Sequence, residues 1–142
     1  MKKESIVYDL KDFNRELHNK ICARIKDLDV DTSPLHGRIL KYLVESNGDV
    51  CQKDIEKILS RNKSTTSEVL DIMEKKNLIK RVVADDSRRK NIVITSKGRE
   101  ELEIVEKDRA SVEKILLDGI SDEDYQQFKR FLNKVKKNIE RI

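Results

Sequence analysis

The chain is poor in the residues that build several kinds of site. It has no tryptophan, three tyrosines and three phenylalanines in 142 residues. So sparse an aromatic set argues against a carbohydrate site and against a base-stacking platform for single strands. One proline and four glycines leave little turn chemistry for a β-sandwich. Two cysteines, Cys22 and Cys51, lie far apart and make neither a disulfide framework nor a four-ligand zinc site. Reduced thiols and a cytoplasmic location are the expectation. No signal-peptide pattern is present, and no apolar run nears the ~20 residues that a membrane span needs. There is no glycine-rich phosphate loop, no nucleophile elbow and no metal-spaced cluster of His, Cys and Asp, so neither an enzyme nor a metal or cofactor is expected. The two histidines, His18 and His36, fall on different expected helices and suggest no catalytic triad.

Charge is what the chain has in plenty. Charged residues make up 41% and hydrophobic ones 37%, a profile of long, solvent-laced helices. The net charge of +4 is modest but uneven: zero over residues 1–59, +6 over residues 60–99 and −2 over residues 100–142. A localised basic stretch is the electrostatic footprint of a polyanion binder. Charge alone favours a solvated face, so the pattern around it must decide.

Apolar spacing predicts mainly helices. Leu10, Phe13, Leu17, Ile21, Ile25 and Leu28 recur at three- and four-residue steps, giving a first helix over Ile6 to Leu28, about 35 Å long. Ser33-Pro34 opens a second, with serine as the cap and proline at the first position. Its inner face is Leu35, Ile39, Leu40, Leu43 and Val44, and Gly37 inside it suggests close backbone approach. Asn47-Gly48-Asp49 ends it. Gln52 to Leu59 is a third, short helix. Ser60-Arg61-Asn62 is a tight turn, with Asn62 capping a fourth helix over Lys63 to Lys76. Val69, Leu70 and Met73 face inward there, and Asn77 suits the left-handed residue that closes a helix. Ile79–Val83 and Ile92–Thr95 are short β-branched runs around a charged hairpin, Ala84 to Asn91. Thr95 or Ser96 caps a fifth helix with Leu102, Val105, Val112 and Leu116 as its stripe. Asp118-Gly119 breaks it, and Ser121 to Asp124 caps a last helix carrying Tyr125, Phe128, Leu132, Val135, Ile139 and Ile142.

A short helix pair followed by a basic β-ribbon is a reading head for double-stranded DNA. The major groove admits a helix, and a hairpin tip reaches the adjacent backbone or minor groove. Lys63-Ser64-Thr65 opens the recognition helix, Met73-Glu74-Lys75-Lys76-Asn77-Leu78-Ile79 closes it, and Asp86-x-Arg88 precedes Val93-Ile94-Thr95-x-x-Gly98. This run resembles the MarR family of bacterial transcriptional regulators, whose pattern is Leu-Glu-Lys-Lys-Gly-Leu-Ile and Asp-x-Arg followed by Val-x-Leu-Thr-x-x-Gly. The resemblance covers residues 33–99 closely and the flanking helices by arrangement. Three positions depart from it: Asn77 stands where glycine is preferred, Thr66 where an apolar residue is usual, and Glu68 where a basic one is common. A carboxylate at Glu68 would repel phosphate or accept from a cytosine amino group.

The resemblance implies a winged helix-turn-helix region, 33–98, flanked by dimerisation helices over 1–32 and 99–142. It implies a homodimer, with Leu10, Phe13, Leu17, Phe128, Leu132, Val135 and Ile139 at the interface. Two heads about 34 Å apart would bind a pseudo-palindromic operator. In that reading Asn62 orients the recognition helix, and Lys63, Ser64, Thr65 and Ser67 meet bases and phosphates. Arg88 enters or flanks the minor groove, and Arg89 and Lys90 contact phosphates. Asp86 braces the wing through Arg88 or Arg81. Relatives commonly sense small phenolic or amphipathic molecules and act as repressors released by them; Tyr8, Tyr42, His18 and His36 are candidates to line such a crevice. Some relatives carry a reactive cysteine early in the first helix, but counting back from Pro34 that position falls near Tyr8 rather than Cys22. Cys22 reads as an inert filler, whereas Cys51 precedes a helix N-terminus, which would stabilise a thiolate. A winged helix that binds protein instead of DNA, or a cysteine-based redox regulator, are the competing readings.

Overall fold

Ser33 sets the start of the reading head. Its Oγ accepts from the His36 amide at 3.1 Å, and Pro34 takes the first helical position, where its missing N–H costs nothing. The computed structural model describes residues 5–84 and 89–142. Its elements run α1 (Ile6–Lys26), α2 (Pro34–Glu45), α3 (Gln52–Leu59), α4 (Lys63–Lys75), β1 (Ile79–Val83), β2 (Lys90–Ile94), α5 (Ser96–Leu116) and α6 (Asp122–Ile139). The fold is mainly α with one small antiparallel sheet, as the apolar spacing predicts. Among the described residues no helix is long and apolar enough to cross a membrane. The chain forms two compact units, Met1–Arg109 and Ala110–Ile142, and α5 runs through the boundary.

The first unit holds the core. Ile39, Leu40 and Leu43 of α2 meet Ile55 and Leu59 of α3, Val69, Leu70 and Met73 of α4, and Leu102 of α5. Ile39, Leu40, Ile55, Leu70, Met73 and Leu78 have no exposed surface; each such side chain contributes about 1.5–3 kcal/mol by leaving water. Val44 is the exception to the expected inner face of α2 and stays 43% exposed, because it lies one position past the buried step at Leu43.

The two strands pair with Ile79 opposite Ile94 and Arg81 opposite Ile92. Ile79, Ile92 and Ile94 therefore share one face and close the core from below, while Lys80 and Val93 face away. The second strand starts two residues earlier than the β-branched run suggests. Val82 pairs with Asn91 and Val83 with Lys90, so the ladder extends into the charged stretch. Thr95 leaves the strand and caps α5: its Oγ1 accepts from Gly98 N at 3.0 Å. The loop before α3 adds a third edge, for Ile92 N donates to the Val50 carbonyl at 2.7 Å.

Gly37 is not the site of closest approach. A Cβ there would sit 3.7 Å from Thr32, an ordinary contact. Gly98 is that site: a Cβ would lie 2.3 Å from the Leu78 carbonyl oxygen and 2.9 Å from Ile94. The strand-to-α5 turn can pass under β1 only with glycine in that position. Arg24 on α1 makes a forked pair with Asp108 on α5, Nε to Oδ2 at 3.0 Å and Nη2 to Oδ1 at 2.7 Å. That pair holds the Asp108 carboxyl below the usual carboxylate range and raises the Arg24 guanidinium.

Candidate nucleic-acid interface

The helix-turn-helix is α3, the turn Ser60–Asn62 and α4. Both helices end in the same way. Ser60 and Asn77 adopt left-handed backbone angles (φ 50° and 59°). Ser60 N reaches the Lys57 carbonyl and Arg61 N the Glu56 carbonyl; Asn77 N reaches Glu74 and Leu78 N reaches Met73. These are Schellman closures, which satisfy the last carbonyls and turn the chain sharply. Asparagine tolerates the left-handed region well enough to stand where glycine is the usual choice.

Asn62 caps α4, its side chain accepting from the Thr65 amide at 2.8 Å. The first turn of α4 is thereby fixed, with the helix's free N–H groups at the surface. Lys63, Ser64 and Glu68 are exposed there, and Thr65 and Ser67 are half-buried. Thr66 faces the opposite way and is fully buried with its hydroxyl unpartnered. Its cost is an unmade hydrogen bond more than lost volume.

The wing root comes to the same place. Arg89 and Lys90 share a cleft of about 590 Å³ with Lys63 at the start of α4 and with Cys51, Gln52, Lys53 and Glu56 at the start of α3. Four cations, Lys53, Lys63, Arg89 and Lys90, thus converge from three elements that are distant in sequence. Gln52 staples the two helices by donating to the Lys63 carbonyl at 3.1 Å. Arg89 donates to the Asp49 carbonyl at 3.4 Å and lies 4.0 Å from Asp54, so its guanidinium is drawn towards the head. Asp86 and Arg88 lie outside the described residues. Arg81 Nη1 donates to Asp71 at 2.8 Å and to Glu74 at 3.2 Å, tying β1 to the recognition helix.

Lys53 and Gln52 were not singled out by sequence. Nor were Lys57 and Arg61, which line a second shallow cleft of about 450 Å³ on the outer face of α3 with Glu56 and Ser60. Their spacing, Lys53, Lys57 and Arg61 at four-residue steps, marks one face of α3 and would have found them. Cys51 caps α3, and its sulfur has a carboxylate for a neighbour. Cys51 N donates to Asp54 Oδ2 at 2.9 Å and its thiol to the same oxygen at 3.3 Å. The Asp54 carboxyl is held below its usual range first by the Cys51 amide, then by the thiol and by Arg89 and Lys57, against the opposing effect of burial. The Asp54 carboxylate thus accepts from both the amide and the thiol of the residue that opens α3.

The other sequence candidates lie on α1, α2 and α6. Leu10, Phe13, Phe128 and Ile139 are exposed, and Leu17, Leu132 and Val135 half-buried. Of the crevice candidates, Tyr8 and His18 are exposed on α1, Tyr42 is half-buried against the core, and His36 is buried in α2. Cys22 Sγ lies 3.4 Å from His18 Nε2 on the same helix. Among the described residues no three His, Cys, Asp or Glu side chains come together as a metal site.

The MarR family model matches residues 34–90. The structure is similar to that of Staphylococcus aureus MepR in its DNA complex, with TM-score 0.82 and 28% identity over 95% of this chain and 96% of that one. MepR in its DNA-binding conformation gives TM-score 0.77 and 30% identity over 96% and 99%. The transcriptional regulator PA3341 shares the fold at TM-score 0.79 and 23% identity, over 97% and 100%. No curated protein matches the chain. The match of the reading head and the likeness to MepR along nearly the whole length agree: the chain belongs to the MarR family of transcription regulators, which are not enzymes.

Proposed function

We propose that this protein is a cytoplasmic homodimeric repressor that binds a pseudo-palindromic operator in double-stranded DNA and is released by a small amphipathic or phenolic ligand. The observation that carries the DNA reading is the convergence of Lys53, Lys63, Arg89 and Lys90 around the exposed start of α4. A MepR–DNA complex with the same fold supports it. Lys63, Ser64, Thr65 and Ser67 lie along the start of the helix that enters the major groove, with Asn62 fixing its first turn. Lys53, Arg89 and Lys90 neutralise backbone phosphates on either side, and Arg88 reads the narrow minor groove beyond them. The exposed stripes of α1 and α6 support dimerisation, because a twofold pair sets two recognition helices about 34 Å apart, one turn of DNA. A ligand that prefers one spacing of the two heads over another shifts the population and releases the operator.

Fluorescence anisotropy with duplex DNA tests this. Affinity for a random duplex should fall steeply between about 50 mM and about 200 mM salt, as counterion release requires. Arg88→Ala should weaken binding to a selected operator by about 1–3 kcal/mol without changing thermal stability. Absence of binding in dilute buffer, or binding indifferent to salt, would leave a protein-binding winged helix instead.

A further inference from the structure

The recognition helix is gripped at the end opposite its DNA-facing nose. Three successive carbonyls after its last turn accept hydrogen bonds from the start of α5. The Lys76 carbonyl accepts from Lys97 Nζ at 2.8 Å, the Asn77 carbonyl from Thr95 Oγ1 at 2.6 Å and the Leu78 carbonyl from Thr95 N at 3.1 Å. Lys97 Nζ also donates to Asp31 Oδ2 at 2.6 Å and stands 3.8 Å from Glu101 Oε2. Lys76 Nζ donates to the Asp31 carbonyl at 2.9 Å. Glu101 is only 6% exposed, and one of its oxygens accepts from Asp31 N, Thr32 N and Thr32 Oγ1 at 2.7, 3.0 and 2.8 Å. A single ammonium therefore joins the end of α4, the loop between α1 and α2, and α5. The pair perturbs both groups: Lys97 lowers the Asp31 carboxyl and Asp31 raises the Lys97 ammonium.

We propose that Lys97, seated between Asp31, Glu101 and the Lys76 carbonyl, is a positioning residue for DNA recognition: it fixes the tilt of α4 without touching DNA. The inference rests on the DNA-binding reading above. Geometry gives the lever its size. A helix of this length spans about 20 Å, so a tilt of about 5° at the gripped end moves the nose by about 1.7 Å. Base-reading groups must be held to about 0.5 Å. Loss of the grip should therefore cost sequence discrimination rather than general attraction to phosphates.

The test compares Lys97→Met with Lys97→Arg, which keeps donors for Asp31 and the Lys76 carbonyl. The probes are a duplex selected by the wild-type protein from a random pool and a scrambled duplex of equal length. Lys97→Met should lose about tenfold on the selected duplex, leave the scrambled duplex and the salt slope unchanged, and be largely rescued in Lys97→Arg. A salt slope reduced by about one would make Lys97 a phosphate contact and overturn the proposal. Equal losses on both duplexes, or no loss on either, would overturn it too. If the wild-type protein binds no duplex, the DNA reading fails by itself, and amide hydrogen exchange still judges the grip. Lys97→Met should speed exchange at Lys76, Asn77 and Leu78 more than at the first turns of α4; unchanged exchange would sink the grip itself.

Discussion

Helices α2 and α6 carry apolar residues at the same three- and four-residue steps, yet α2 buries Ile39, Leu40 and Leu43 while no residue of α6 is buried. In α6, Phe128, Phe131 and Ile139 are more than half exposed. Periodicity alone does not distinguish a stripe that faces its own core from one that awaits a partner. The difference lies in what surrounds each helix: the inner face of α2 is packed by α3, α4, α5 and the sheet, whereas no residue of α6 is buried. A helix of 18 residues without tertiary packing is marginal in water, and the exposed stripe of α6 fits the dimer proposed above. Helix α1 has 21 residues and none fully buried, but it is tied to α5 through Arg24 and Asp108.

The sharpest way to break this comparison is to cut one large side chain from each region. Leu70→Ala in the head removes a side chain with no exposure and should cost about 2–5 kcal/mol in urea unfolding. Phe131→Ala in α6, 57% exposed, should cost well under that in dilute protein, with a loss that grows with concentration as dimers form. Equal and concentration-independent losses would place α6 in an intrachain core. A second cut goes to the proposed interface itself. Leu132→Asp with Val135→Asp puts two carboxylates into the stripe and should raise the dimer dissociation constant at least about a hundredfold, seen by sedimentation. The helical circular dichroism of the head should survive it.

A smaller effect sharpens the comparison within the head. Thr66 is fully buried and its hydroxyl has no partner, so Thr66→Val keeps the shape and removes the unmade bond. It should stabilise the protein by about 1 kcal/mol, read as a rise in urea midpoint. A loss of stability would show that the hydroxyl has a partner in solution.

Local chemistry was readable from the sequence; convergence was not. The third helix and first strand have the expected bounds because caps, Schellman turns and β-branched runs act within a few residues. The second strand began early because its first pairs depend on Val82 and Val83, across the hairpin. The recognition-helix nose and the basic wing were visible as a charge excess. The contribution of α3 was not, since Lys53 joins Lys63, Arg89 and Lys90 only after the helix-turn-helix folds and the strand docks beside Val50. The grip on α4 is further still from local pattern: Glu101 meets Asp31 and Thr32 across about seventy residues.

The gentlest probe is pH, and it separates the head's interior from its surface pairs. His36 is 7% exposed, its Nδ1 has no partner, and its ring lies near the Lys76 ammonium. Burial first, and then Lys76, hold its pKa below the ordinary 6.5. The unfolded chain therefore takes up a proton near 6.5 that the folded head resists. The stability tied to His36 is complete above that value and declines as pH falls through the folded value. The carboxyls of Asp31, Asp54 and Asp108 are lowered from 3.8 by Lys97, by the Cys51 amide and by Arg24 respectively. Their contributions are also lost on acidification, but only below 3.8, so the two windows do not overlap at their upper ends. Melting temperatures at about pH 7 and about pH 5 should fall in the wild-type protein and change less in His36→Leu, where no imidazole remains in the head to be protonated. The comparison reads the difference between the two pH values, so any change in packing caused by leucine itself cancels. An identical fall in both proteins would mean that another group titrates, and that His36 accepts its proton without disturbing the packing of α2.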